Sequence, residues 1–138
     1  MLGGSGFLGS HVCDQLSEAG HKVRIFDCVE SPWLRLDQEM IVGNLLDEQS
    51  LNDAFKGCNV IYNFAALADL DESLTKPIET VKVNVLGNAM VLEACRKAQV
   101  QRYVYASTIY VYSRNGGFYR CSKQSAELYV EEYQKHFY

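Results

Sequence analysis

Tyr119-Arg120-Cys121-Ser122-Lys123 sets a phenol and an ammonium four residues apart, so on a helix the two share one face. A phenol with a pKa of about 10 is a poor base at neutral pH. A neighbouring ammonium favours the phenolate and lowers that pKa, which makes proton exchange with a substrate hydroxyl feasible. Ser107 and Thr108, upstream of the pair, offer a hydroxyl to orient the substrate oxygen. Tyr-x-x-x-Lys is a common pattern, and it gains meaning only beside a cofactor. The other end of the chain supplies the pointer to one. In Gly3-Gly4-Ser5-Gly6-Phe7-Leu8-Gly9, three glycines spaced by three leave backbone N–H groups uncovered at a helix start, where a pyrophosphate sits against the helix dipole. Asp27 follows Gly9 by eighteen positions, near the roughly 20-residue offset of a carboxylate that holds a ribose 2′-OH.

The elements that must carry these groups follow from hydrophobic periodicity. Phe7 to Glu18 reads as a helix with Leu8, Val12 and Leu16 on one face, and Gly20 just past its end. Lys22 to Asp27 is a strand, Ser31 to Glu39 a connection, and Met40 to Asn44 a short apolar run. A helix is expected over 47–56, with Gly57 as its stop. Asn59 to Ala66 and Gln101 to Ser107 are apolar enough for strands buried on both faces of a parallel sheet. A long helix is expected over 78–98 with Val81, Val85, Ala89 and Leu92 inward, and a last one over 119–137. Strict alternation of strand and helix makes the fold class α/β, a doubly wound, Rossmann-like parallel sheet. Ligands of such sheets lie outside the strand carboxyl ends. The glycine loop, Asp27, Asn44, Phe64-Ala65-Ala66 and Ser107-Thr108 all fall there.

Bulk properties narrow the class. A net charge of −4 argues against a nucleic-acid partner, and no apolar run approaches the roughly 20 residues of a membrane span. The five cysteines are scattered without C-x-x-C, and the three histidines lack ligand spacing. Buried thiols in a reducing cytoplasm, with no metal, are therefore expected.

In its motifs the chain resembles the extended short-chain dehydrogenase/reductases, in particular their NAD-dependent sugar epimerase/dehydratase branch. The resemblance spans all 138 residues and rests on GGSGFLG at 3–9, VRIFD ending at Asp27, GNLLD at 43–47, NFAALA at 63–68, NVLGN at 84–88, YASTIYVYS at 105–113 and YRCSK at 119–123. It implies NAD as cofactor, with Gly3, Gly6, Phe7, Leu8 and Gly9 on the pyrophosphate and Asp27 on the adenosine ribose. It puts Asn44 and Leu45 at the adenine, although the family usually has aspartate where this chain has Asn44. Phe64, Ala65, Ala66 and Asn84 would line the cofactor. Thr108, Tyr119 and Lys123 would form the catalytic set: Thr108 as hydrogen-bond partner, Tyr119 as acid/base, and Lys123 on the nicotinamide ribose, tuning Tyr119. The implied substrate is a sugar, nucleotide-linked in the branch at large, and the implied partner a second copy through helices 78–98 and 119–137.

Plainer roles compete at several positions. Asp27 also reads as a solvated strand-end carboxylate, and Asn84 as a buried amide satisfied by backbone. Tyr103, Tyr105, Tyr110 and Tyr112 read first as packing, and Arg114 and Arg120 as solvated. Two departures from the family stand out: the loop 111–118 is short, and the chain is expected to be a partial NAD-binding domain over 1–138, shortened at both ends. Its first strand is reduced to Met1-Leu2, and the substrate domain is absent. Weak dinucleotide binding and little turnover by these residues alone are the expected results. A ketone or aldehyde reductase using NAD(P), and a non-catalytic dinucleotide-binding regulator, remain the alternatives.

Overall fold

In the computed structural model, which describes residues 1–138, helices and strands are interspersed from the glycine loop onward. The order is α1 (Phe7–Glu18), β1 (Val23–Asp27), β2 (Gln38–Val42), α2 (Glu48–Phe55), β3 (Val60–Asn63), α3 (Leu70–Thr75), α4 (Pro77–Val81), α5 (Gly87–Lys97), β4 (Arg102–Tyr105) and α6 (Gly117–Phe137). β1 runs parallel to β2 with Val23 opposite Gln38, and β3 parallel to β4 with Val60 opposite Arg102. Leu2 bridges Phe26 on one side and Asn63 on the other, both in parallel. The sheet order is thus β2-β1-Leu2-β3-β4.

Met1 to Gly3 hold this central position through backbone hydrogen bonds to both sides. Leu2 N–H donates to Tyr62 O at 2.8 Å and Phe64 N–H to Leu2 O at 2.9 Å. On the other side Phe26 N–H donates to Met1 O at 2.8 Å and Gly3 N–H to Phe26 O at 3.0 Å. The Met1 amine, mostly buried, donates to Arg24 O at 2.7 Å.

Successive strand residues face opposite sides of a sheet, and here they seed two cores. Ile25 packs with Cys13 and Val23 beneath α1. Phe26 joins Leu2, Leu51, Phe55, Ile61, Val91 and Cys95 beneath α2 and α5. Asp47 caps α2 by accepting from Gln49 and Ser50 N–H, which seats Leu51 and Phe55 on the sheet. Phe55 is 2% exposed. Phe55→Ala is expected to cost about 3–5 kcal/mol, read as a lowered urea midpoint.

The long helix differs from expectation. It starts at Pro77, favoured at a first helical position, and is interrupted by a π-helical turn, Lys82–Leu86, before α5. A π turn inserts a residue and rotates the register. The buried face accordingly runs through Thr80, Asn84, Asn88 and Val91, while Val81 stays half exposed. Val81, Val85 and Ala89 are thus not the inward stripe. α3 was not foreseen, because Leu70 and Leu74 are too few to make a period; its signal is the Asp69 cap on Glu72 N–H. β3 ends at Asn63, so Phe64 to Ala66 form a loop at the strand end. α6 begins two residues earlier than expected, after Gly116 in the left-handed region. No helix is long and apolar enough to cross a membrane.

Candidate active site

The glycine loop is held by backbone contact that excludes side chains. Gly3 has φ +74°, and a Cβ on it would lie 2.6 Å from Ala65 N. A Cβ on Gly9 would overlap Gly3 O. This close packing sets the loop against Phe64–Ala66. The first turn of α1 carries neither a side-chain cap nor an acidic residue, so its leading N–H groups stay open to an anion. Phe7 and Leu8 project into solvent there. The donor set fits a dinucleotide pyrophosphate.

Asp27, at the end of β1, accepts from Ser5 N–H at 3.0 Å, and Ser5 Oγ donates to Val29 O at 2.8 Å. The carboxylate thus sits beside the loop and fixes it. Asn44 is exposed and accepts from Leu46 N–H at 2.9 Å, a local turn that leaves its amide donors outward. Leu45 packs on the edge of the larger core.

Asn84 is 2% exposed. Its Oδ1 accepts from Leu67 N–H at 2.8 Å, and its Nδ2 donates to Leu67 O at 3.0 Å and Ser122 Oγ at 2.9 Å. Both donors are engaged within the protein, so Asn84 holds the 64–67 loop to α6. A second buried network was not read from the sequence. Asn63 Nδ2 donates to Tyr103 Oη at 2.8 Å, Tyr103 Oη donates to Asn88 Oδ1 at 2.5 Å, and Asn63 Oδ1 accepts from Ala65 N–H at 3.1 Å. Its signal in the sequence is three polar residues inside apolar segments. Tyr103 and Tyr105 stack at 6.3 Å as packing residues, whereas Tyr112 is 89% exposed and packs nothing.

Lys123 is 2% exposed. Its Nζ donates to Ala106 O at 2.7 Å and stands 4.4 Å above the Tyr105 ring and 5.9 Å from the Tyr119 ring. Burial lowers its pKa to about 8, with Glu127 acting in the opposite direction. The expected lowering at Tyr119 is not found: burial raises the phenol's pKa, and hydrogen bonding to Thr108 pulls part of it back. Tyr119 packs edge-on against Tyr110. Between the two candidate hydroxyls the structure discriminates. Ser107 Oγ donates to the Glu127 carboxylate, while Thr108 faces Tyr119 and accepts from Tyr110 N–H at 3.4 Å.

The depressed Lys123 pKa has a consequence for stability. Between about 8 in the fold and 10.5 in the open chain, the unfolded state binds the extra proton, so stability rises with pH. Cys13 and Cys95, pushed up to about 11 and 12 from 9.0, oppose this above pH 9. Lys123→Met is expected to flatten the rise, by on the order of 3 kcal/mol at most, in urea titrations at pH 7, 8 and 9. An unchanged slope would count against a buried, charged Lys123.

A groove of about 780 Å³ lies at the opposite edge, between Met1, Val23, Arg24, Val60 and Tyr62. It opens at strand amino ends, away from the loop, Asp27, Thr108, Tyr119 and Lys123, which gather at the carboxyl ends.

A UDP-glucose 4-epimerase of Yersinia pestis is 35% identical over 124 residues, covering 81% of this chain and 37% of the relative. A 3-beta-hydroxysteroid dehydrogenase of Mycolicibacterium neoaurum is 36% identical over 114 residues, covering 78% of this chain and 31% of the relative. Among solved structures, UDP-glucose 4-epimerase with UDP-glucose from Thermotoga maritima superposes with a TM-score of 0.92 at 26% identity, over 99% of this chain and 50% of that one. The Thermus thermophilus UDP-glucose 4-epimerase complex with NAD gives 0.90 at 28%, again over 99% and 50%. The chain thus spans between about a third and a half of these proteins. With residues 1–137 matching its family model, and with the glycine loop and Tyr119–Lys123 on the same side of one parallel sheet, the chain belongs to the NAD dependent epimerase/dehydratase family.

Proposed function

We propose that this chain binds NAD and contributes the acid/base group of an epimerase or dehydratase acting on a nucleotide-linked sugar. The observation that carries the proposal is the arrangement at the strand carboxyl ends: an uncapped α1 start, Asp27 beside it, and Tyr119 with Thr108 and buried Lys123 further along the sheet. The N–H groups around Gly6 to Gly9 would bind the pyrophosphate, Asp27 the adenosine ribose, and Asn44 and Leu45 would border the adenine. Phe64 to Ala66, held by Asn63 and Asn84, would wall the cofactor. Lys123 would reach the nicotinamide ribose. Thr108 orients the sugar hydroxyl, and Tyr119 takes its proton and later returns one. NAD, when bound, would supply the hydride acceptor.

Asp27 predicts cofactor choice, since a 2′-phosphate would meet a carboxylate. NAD is expected to bind the chain at least about tenfold more tightly than NADP, measured by calorimetry. Equal affinities would remove Asp27 from the ribose site. UDP-glucose tested for conversion to UDP-galactose without net NADH is the test of the sugar assignment.

A second reading has its own support, because relatives of similar identity carry steroid dehydrogenase names. Net NADH accumulation from a secondary alcohol, with no isomerised sugar, would favour that dehydrogenase. NAD binding without turnover on either class would favour a dinucleotide-binding regulator.

A further inference from the structure

We propose that Glu127 is a positioning residue for Lys123: its carboxylate, tied to the Ser107 hydroxyl at the end of β4 and lying one helical turn beyond Lys123, keeps the buried ammonium charged and aimed at the cofactor. This rests on the proposed role of Lys123 as a cofactor ligand.

The geometry needs such a group. Lys123 is among the most buried side chains of the chain, and an ammonium in that position is costly unless a counter-charge or donor contacts compensate it. Its contacts are one carbonyl, Ala106 O, and the faces of two rings. The groups facing it from β4 are Tyr105, with Tyr103 stacked behind. Tyr119 and Glu127 face it from α6, and Tyr110 lies beyond Tyr119. The helix packed on the other side presents neutral amides, Asn84 and Asn88, bound to Ser122 Oγ and Ala126 O. The tyrosines stay protonated at neutral pH, because burial raises Tyr105 and Tyr119 and raises Tyr103 well above its ordinary value. Glu127 is therefore the anion of the group, and it acts on Lys123 by raising its pKa against burial.

Ser107 gives the carboxylate a fixed address. A glutamate free to swing into solvent would be screened and contribute little. The hydrogen bond from Ser107 Oγ joins residues twenty apart in sequence and links the end of β4 to α6. The same strand end carries Ala106 O, the acceptor of Lys123, and Thr108. One side chain thus couples the charge of Lys123 to the backbone that aims both groups.

The test is an NMR titration of the Lys123 Cε signal in the 138-residue chain without nucleotide, assigned by its loss in Lys123→Arg. Wild type should titrate near the value of about 8 set by burial, and Glu127→Gln should titrate at lower pH. An unmoved midpoint in Glu127→Gln overturns the proposal. If that variant does not fold, Ser107→Ala takes its place: the released carboxylate should let the midpoint fall, and an unmoved one overturns the proposal equally. NAD affinity against pH is the second readout, with the alkaline loss of affinity moving to lower pH in Glu127→Gln. If wild type binds no NAD, the cofactor role of Lys123 fails, while the nucleotide-free titration still decides what Glu127 does.

Discussion

Within an intact enzyme carrying this chain, Tyr119→Phe is expected to lower turnover of a nucleotide sugar by about 10²- to 10⁴-fold, the range for removing a positioned general acid/base, while NAD affinity is unchanged. The ring stays, so the edge-on contact with Tyr110 and the packing over Thr108 persist. Only the hydroxyl that exchanges a proton with the substrate is lost. The split between rate and affinity separates this role from a structural one. Turnover at the wild-type rate in Tyr119→Phe would take Tyr119 out of the chemistry, and a parallel loss of NAD affinity would make it a binding residue instead.

Gly9→Ala is expected to weaken NAD binding by about 5- to 150-fold. The added methyl would meet Gly3 O, Gly3 C and Gly4 Cα, all of them backbone that a side-chain rotation cannot clear. The loop must shift, and displaced backbone of this kind costs about 1–3 kcal/mol, with 1.4 kcal/mol equal to a factor of ten. Calorimetry gives the affinity, and circular dichroism confirms that α1 still forms. Wild-type affinity in a folded Gly9→Ala would show that the loop does not cradle the pyrophosphate.

The parts of the site that could be read in advance are those whose partners lie close in sequence. Gly3 to Gly9 and Tyr119 to Lys123 each fit within two helical turns, so spacing alone places their groups together. α1 was bounded correctly for the same reason: its apolar residues and Gly20 act locally. The buried amides were harder. Asn63, Asn84 and Asn88 find partners 15 to 40 residues away, and in a one-dimensional pattern each interrupts an apolar run. The π turn compounds this. Of the expected stripe of Val81, Val85, Ala89 and Leu92, only Leu92 is fully buried, Val85 and Ala89 are partly buried and Val81 is exposed, with the π turn Lys82–Leu86 set between them. The tyrosine's pKa was misjudged because spacing shows the ammonium but not the burial that opposes it. Ser107 and Thr108, adjacent and chemically alike, are not separated by residue type or spacing; the family resemblance assigns Thr108, and in the fold Glu127 stands beside Ser107.

The three-residue strand at Met1–Gly3 makes the middle of the sheet a seam. Each neighbouring strand pair keeps its own ladder, and Met1 to Gly3 join the two. Hydrogen exchange at the Leu2 and Gly3 amides is expected to report a smaller free energy than exchange within β1 or β3. The glycine loop leaves directly from this seam, and the Phe64–Ala66 stretch beside it belongs to the far half. A ligand held by both would act as a staple across the join, slowing exchange there in proportion to its own affinity.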